Sequence, residues 1–236
     1  MGKKWLPLES NPEVLNNYLK GLGIKEPKVA FYDVFGLDPD LLAFVPRPVF
    51  AMMLLFPVTD KIEEAEKEAL LRQKDEVKEF MEKNKFFFSR QTIANACGTM
   101  AVIHALMNNI DRVGDLQEGS PLYDLRKVGM DMLPEERAKF IENYPTLDEE
   151  HRKACEEGVP ENQSIDADTD LHFTCFVKIN NRCVELDGRN PVPLLHDVCS
   201  DDESFLIAAA QAMKDRINLE PSSVRYNIIA LANKGD

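Results

Sequence analysis

Cys97 stands inside the run Gln91-Thr-Ile-Ala-Asn-Ala-Cys97-Gly-Thr-Met-Ala-Val-Ile-His104, whose second half has the pattern of an apolar helix. With Asn95 as the expected N-cap, Cys97 falls in the first helical turn, where unpaired backbone N–H groups and the helix dipole both favour a thiolate. A helix N-terminus with a histidine beside it draws a thiol pKa from about 8.5 into the range of roughly 3.5–7.5, which makes a nucleophile at neutral pH. The same position also suits a small apolar side chain packed at a helix start, because free cysteine is often buried. His104 shares the helix face but lies about 10.5 Å further along the axis, too far to reach the sulfur. It is expected to be a core histidine.

A base and its orienting carboxylate come from a hairpin. Asn180-Asn181 has the look of a two-residue turn between strands at about 172–179 and 182–187. That register sets Ile179 opposite Arg182, Val177 opposite Val184 and Thr174 opposite Asp187. Alternation then puts Phe173, Cys175, Val177, Ile179, Val184 and Leu186 on one apolar face, with His172, Thr174, Phe176, Glu185 and Asp187 on the other. His172 and Asp187 become diagonal neighbours with backbones roughly 7–8 Å apart, within reach of a His–carboxylate hydrogen bond. Such a carboxylate fixes the imidazole tautomer and stabilises the imidazolium. A strand-end surface residue and a plain Asp-Gly turn would explain each residue but not their shared face. His151 and His196 have no Asp or Asn placed beside them by any register. Gln91, six residues before Cys97, offers a side-chain amide which, with the Cys97 N–H, supplies two donors for an oxyanion.

These groups need a scaffold, and the composition supports one. The chain has 236 residues, 44% of them hydrophobic and 29% charged, which is enough to close a sizeable core in a single domain over residues 1–236. No internal repeat or Gly/Ser linker divides it. Asn11-Pro12-Glu13 opens a short helix that leaves at Gly21 and Gly23. Val29 to Val34 is expected as a strand, Asp38-Pro39 as the cap of a second short helix through Phe44, and Phe50 to Phe56 as a strand covered on both faces. Asp60 to Lys85, dense in both charge signs, is expected as a solvated helix or an excursion. Helical patterns follow at about 121–131, 135–144 and 148–156, then, after the hairpin, a helix at about 204–217 and a strand from Tyr226 to Ala232. Helices before, between and after strands imply an α/β layered domain with the sheet sandwiched between them.

With 28 Lys plus Arg against 41 Asp plus Glu, the formal charge of −13 argues against a nucleic-acid partner and favours a basic one. Met1 to Pro7 holds no apolar core of signal-peptide length, and the longest apolar run, Val49 to Phe56, is far short of the roughly 18 residues a membrane span needs. A cytoplasmic protein with no membrane association is expected, its five cysteines as thiols. No C-x-x-C spacing occurs, and Cys175 and Cys183 with His172 or His196 match no zinc template, so no metal or cofactor is expected.

The runs Gln91 to Thr99, Asp170-Leu-His-Phe173 and Glu185-Leu-Asp-Gly-Arg189 closely resemble the signatures of the ubiquitin carboxyl-terminal hydrolases. The resemblance extends through Trp5 to Pro12, Asp33 to Pro39, Val45-Pro-Arg-Pro48 and Tyr226 to Leu231, and so covers essentially the whole chain, as in the short, single-domain L-type isozymes. It implies a papain-like architecture, an α+β fold with a central antiparallel sheet flanked by helices on both faces and a knotted backbone. It implies Cys97 as nucleophile, His172 as general base and acid, Asp187 as its orienter and Gln91 as oxyanion donor. It places a crossover loop at about Glu149 to Thr169, restricting leaving groups to small adducts or short extensions. It puts ubiquitin contacts at Pro7, Leu8, Glu9, Ser10, Asn11 and Pro12, at Cys155, Glu156, Glu157, Gly158, Val159, Pro160, Glu161 and Asn162, and at Ser223, Val224, Arg225 and Tyr226. A monomer is expected, acting on ubiquitin and, by the same resemblance, on the related modifier NEDD8.

Charge agrees with that partner. Nine acidic and two basic residues from Pro145 to Asp170 carry −7 of the chain's −13, and the family's partner has a basic C-terminal tail. Two other readings stay open. A papain-type endopeptidase carries C-G-[SA]-C-[WY] with its histidine about 130–150 residues later, whereas Cys97 is followed by Gly-Thr-Met-Ala and His172 comes sooner. A ubiquitin-binding protein whose triad is misaligned would keep the same residues without the activity.

Overall fold

The computed structural model describes residues 2–158 and 169–235. Its frame is one six-stranded antiparallel sheet formed by β1 (Val29–Asp33), β2 (Val49–Pro57), β3 (Leu171–Ile179), β4 (Arg182–Leu186), β5 (Leu194–Val198) and β6 (Asn227–Asn233) in the order β1-β6-β2-β3-β4-β5. β2 has no polar alternation because neither of its faces meets water, and eight of its nine residues are buried. The β3–β4 hairpin has the register set by its Asn-Asn turn, with Cys175 opposite Leu186 and Val177 opposite Val184. Asn180 takes the left-handed conformation that the turn requires, with φ 51°.

Helices cover both faces. Against one pack α1 (Pro12–Gly21), α5 (Cys97–Met107) and α6 (Pro121–Val128), whose apolar residues join Phe31, Met53, Phe173, Val177 and Leu186. Against the other pack α2 (Pro39–Leu42) and α9 (Asp202–Ile217), joined by Met52, Leu54, Phe56 and Phe176. The expected sandwich is therefore present. α5 is apolar around its whole circumference, and every residue from Gly98 to Met107 is buried, as suits a helix enclosed by sheet and neighbours.

The charged stretch after β2 forms two helices, α3 (Asp60–Arg72) and α4 (Lys74–Lys83), broken at Gln73. α7 (Pro134–Glu142) and α8 (Pro145–Glu157) follow α6, so residues 149–157 of the segment assigned to a crossover loop are helical here. Residues 159–168 of that segment lie outside the described residues. All five cysteines are free thiols, and among the described residues no helix is long and apolar enough to cross a membrane.

Two core histidines are kept neutral by burial. His104 accepts the Ser89 N–H at Nε2 (3.1 Å) and His151, on α8, lies between Thr99 and the Leu6 carbonyl. Burial pushes each down to about 4 from the ordinary value of 6.5. A histidine depressed in the folded state contributes stability that is complete above 6.5 and lost as pH falls, because the unfolded chain takes up the proton first. Urea unfolding should therefore show stability falling from about pH 6.5 toward 4, with each histidine contributing at most about 1.4 kcal/mol per pH unit. His104→Gln, which keeps an acceptor for Ser89 and removes the proton site, should make that slope shallower. An unchanged slope would contradict the assignment.

Candidate active site

The start of α5 meets the start of β3. Gly98 makes this approach possible: a Cβ there would lie 2.9 Å from Leu8 Cβ and 3.3 Å from the Phe173 ring. With only hydrogen at that point, Cys97 comes against the residue before Phe173, close enough for the His172 ring and the Phe173 backbone N–H to act on its thiol. Asn95 is not the cap that its type suggested. It takes a left-handed conformation (φ 62°) and donates its amide to the Trp5 carbonyl at 3.2 Å, while Ala96 occupies the cap position. Asparagine suits both roles, and here the N-terminal segment decides between them. That segment is tied to the approach to α5 by backbone bonds of 3.0 Å from Trp5 N–H to the Ala94 carbonyl and from Ala94 N–H to the Lys3 carbonyl.

His172 Nε2 lies 2.8 Å from Asp187 Oδ2, leaving Nδ1 for the sulfur. Both residues are buried, with relative exposures of 5% and 1%, whereas Cys97 is partly exposed. Burial alone would drive the imidazolium off. Asp187 and Cys97 outweigh it and push the His172 pKa up to about 9. For Cys97 burial likewise opposes charge, but the His172 ring and the Phe173 N–H hold the thiol below its ordinary value. Asp187, despite its burial, is held well below the usual carboxylate range by His172 and then by Arg189. The site thus favours the charged imidazole and draws the Cys97 thiol toward its thiolate, beside a carboxylate. Such an arrangement attacks carbonyl carbon and hands a proton to a leaving group.

Gln91 is held beside this pair by the Asp187-Gly188 turn. Its N–H donates to the Gly188 carbonyl at 2.8 Å, and a Cβ on Gly188 would lie 2.9 Å from Gln91 Cβ. The side-chain amide donates one N–H to the Ile93 carbonyl at 3.0 Å, which leaves its second N–H for another acceptor. Arg90 adds bonds to the Gly188 and Arg189 carbonyls at 3.3 and 3.1 Å, latching the turn to the chain that leads into α5.

The other histidines lie apart. His104 and His151 are the neutral core groups already described. His196 has the partner that no register suggested: Nε2 is 2.9 Å from Glu185 Oε2, a glutamate on the face shared with His172. Arg189 carried no assigned role, yet its N–H donates to Asp187 Oδ1 at 2.8 Å and its guanidinium lies 3.4 Å from Oδ2. The need for a cation beside a buried aspartate, two residues from an arginine in Asp187-Gly-Arg189, was a usable signal. Phe56, edge-on to His172 with ring centroids 5.7 Å apart, left none.

The segments assigned to ubiquitin contact adjoin one another around this site. Ser10 Oγ donates to Asn227 at 2.5 Å, the Cys155 thiol points at the Leu6 and Pro7 carbonyls, Gly158 abuts Glu9, and Arg225 pairs with Asp170 at 2.6 Å. Leu8 and Cys155 are in the core and present no side chain to a partner, whereas Val224 is 92% exposed. Asn11 caps α1 by accepting the Glu13 N–H. Val159, Pro160, Glu161 and Asn162 lie outside the described residues.

A sheet between helix layers, with thiol, imidazole and carboxylate in contact at its rim, is the arrangement of a papain-like cysteine hydrolase. The model of ubiquitin carboxyl-terminal hydrolase family 1 matches residues 5–218. The chain is 39% identical over 232 residues to ubiquitin carboxyl-terminal hydrolase 3 of Arabidopsis thaliana, covering 98% of this chain and 95% of that protein. It is 36% identical over 225 residues to ubiquitin carboxyl-terminal hydrolase isozyme L1 of Homo sapiens, covering 95% and 96%. The fold is shared with the Trichinella spiralis UCH37 catalytic domain solved bound to ubiquitin vinyl methyl ester, with a TM-score of 0.73 at 23% identity over 98% of this chain and 96% of that one. The protein belongs to the ubiquitin carboxyl-terminal hydrolase family, as a cysteine-type deubiquitinating hydrolase.

The remaining thiols are held back by burial, which pushes Cys155 up to about 12 and raises Cys175, Cys183 and Cys199 as well. At neutral pH iodoacetamide should therefore modify Cys97 and leave the other four intact, as read by mass spectrometry of peptides. His172→Asn should slow that labelling at least about tenfold, since each unit of thiol pKa above the working pH costs about a factor of ten in thiolate. Equal labelling of several cysteines would contradict the ion pair.

Proposed function

We propose that this protein hydrolyses the bond between the C-terminal glycine of ubiquitin and small adducts or short flexible extensions, through a Cys97–His172–Asp187 triad. The observation that carries this reading is the chain of contacts from the Cys97 sulfur to the His172 ring and from that ring to Asp187 at 2.8 Å. The Cys97 thiolate attacks the glycine carbonyl and forms a tetrahedral intermediate, whose oxyanion is held by the Cys97 N–H and the free N–H of the Gln91 amide. His172, protonated in the ion pair, gives its proton to the leaving amine as the C–N bond breaks, and a thioester remains. Water then attacks with its proton passing to His172, the C–S bond breaks, and the thiolate–imidazolium pair is regenerated with free ubiquitin.

Ubiquitin fits the site on charge and on shape. Glu149, Glu150, Glu156 and Glu157 on α8, with Asp170 just before His172, outnumber the Arg152, Lys153 and Arg225 side chains paired with them, and the remaining negative charge favours a basic tail. A Gly-Gly end, having no side chains, suits a narrow approach to a sulfur that is only partly exposed. Restricted access also accounts for small leaving groups. The protein acts as a monomer on this reading, because the triad and its oxyanion donors all come from one chain.

Ubiquitin carrying a C-terminal thiol-reactive group should label the wild type rapidly and Cys97→Ala not at all. Tight binding without labelling would instead support the non-catalytic binder. The same probe built on NEDD8 decides whether that modifier is a second substrate. Gln91→Ala should lower kcat by about 10²–10³ with KM nearly unchanged, and an unchanged kcat would remove Gln91 from the oxyanion site.

A further inference from the structure

Charges unused by the chemistry lie beneath the His172–Asp187 pair, on the α9 side of the sheet. Arg216, in the last turn of α9, is 9% exposed and reaches inward among carboxylates. Its Nη1 is 2.6 Å from Glu185 Oε1, its Nη2 is 3.6 Å from Glu66 Oε1, and its guanidinium lies over the Phe56 ring, 4.7 Å from the centroid. Phe56 is the ring that stands edge-on to His172. Glu66, on α3 and 8% exposed, accepts the Asn190 amide at 2.9 Å and lies 3.7 Å from Arg189 Nη2. Arg189 in turn holds Asp187. Glu185 also accepts from Thr174 at 3.0 Å and pairs with His196. A line of ionisable groups therefore runs from Asp187 through Arg189, Glu66, Arg216 and Glu185 to His196 at the edge of the sheet.

Burying a guanidinium with two glutamates is poor value as stability alone, since well-packed apolar residues of the same volume serve as well or better. Its use here is geometric. We propose that Arg216 is a positioning residue for the Asp187–His172 pair, acting through Phe56, on which it stacks, and through Glu66, which it shares with Arg189. The inference rests on the catalytic reading of Cys97, His172 and Asp187 given above.

Arg216 acts in two ways. Its plane fixes the Phe56 ring against which His172 is set, and its charge balances Glu66 and Glu185. Without that charge Glu66 has Arg189 as its cation and draws it from Asp187, so His172 is less firmly held and less basic. The titratable and charged groups facing the pair are Cys97 and His104 from α5, Glu185 from β4, Arg189 from the turn after it, Glu66 from α3 and Arg216 from α9. His104 is neutral, so Arg189 and Arg216 are the two permanent cations among these described groups.

Arg216→Met keeps length and apolar volume and removes the charge, whereas Arg216→Lys keeps the charge and loses the planar face. Each is compared with wild type for hydrolysis of a fluorogenic amide at the C-terminus of ubiquitin and for alkylation of Cys97 by iodoacetamide across the pH range. Circular dichroism confirms folding. Arg216→Met should lower kcat about tenfold with KM within about twofold, and Arg216→Lys about threefold. In Arg216→Met the onset of fast alkylation should move to higher pH, because a less basic His172 stabilises the thiolate less. A folded Arg216→Met with wild-type kcat and pH profile, or with lower thermal stability and nothing else changed, overturns the proposal. Should Arg216→Met not fold, a folded Arg216→Lys with wild-type kcat overturns it. Wild type that fails to react with thiol-reactive ubiquitin overturns the hydrolase reading itself, whereas a reactive wild type with indistinguishable variants overturns the role of Arg216 alone.

Discussion

A hydrogen bond between an imidazole and a carboxylate has little strength in water, because both partners are already solvated. Buried, the same bond must supply what the solvent gave. His172 and Asp187 have left water, so the carboxylate needs donors and the ring needs an anion on each side. Arg189 supplies donors, Asp187 supplies the anion on one side of the ring, and the Cys97 thiol, drawn toward its charged form, lies on the other. The arrangement is self-consistent: each charge is tolerated because the next one is present. Removing one strands its neighbours.

Bringing the groups together is work for the backbone. Three segments distant in sequence converge: the N-terminal run from Lys3 to Leu8, the approach from Arg90 to Ala96, and the turn from Asp187 to Arg189. They are joined by main-chain bonds at Trp5–Ala94, Ala94–Lys3 and Gln91–Gly188. Two glycines make the convergence possible by subtraction. Gly98 lets α5 touch β3, and Gly188 lets the turn touch Gln91. Both are intolerant of a methyl group for reasons of space rather than of backbone angle.

Much of this was legible in the sequence where a short-range rule constrains a long-range contact. A two-residue Asn-Asn turn with alternating apolar residues fixes which strand positions face each other, and so brings His172 beside Asp187 before any tertiary information is used. Asn95 shows the limit of such rules, since one residue type serves as helix cap and as left-handed hinge, and only the Trp5 carbonyl decides. β5 carries little sequence signal because it is five residues long and lies at an edge. Part of its pairing comes from a side chain, the Gln73 amide bonding the Leu195 backbone in both directions at 2.8 Å. Leu8 and Cys155 belong to segments that the resemblance places at a contact surface, but the fold turns their side chains inward. Arg216 has the local setting of an ordinary basic residue at a helix end. Nothing local says that it is buried, because its partners come from α3 and β4.

The strand order has a bearing on how the cell makes this molecule. β6 is the last strand in the sequence, yet it lies between β1 and β2 and so joins the two parts of the sheet. A ribosome releases it after every residue of the site has already been synthesised. Until it docks, β1 has no partner strand and β2 has one open edge. The sheet is therefore completed by long-range pairing, and β1 and the open side of β2 stay exposed to wrong partners until β6 is in place.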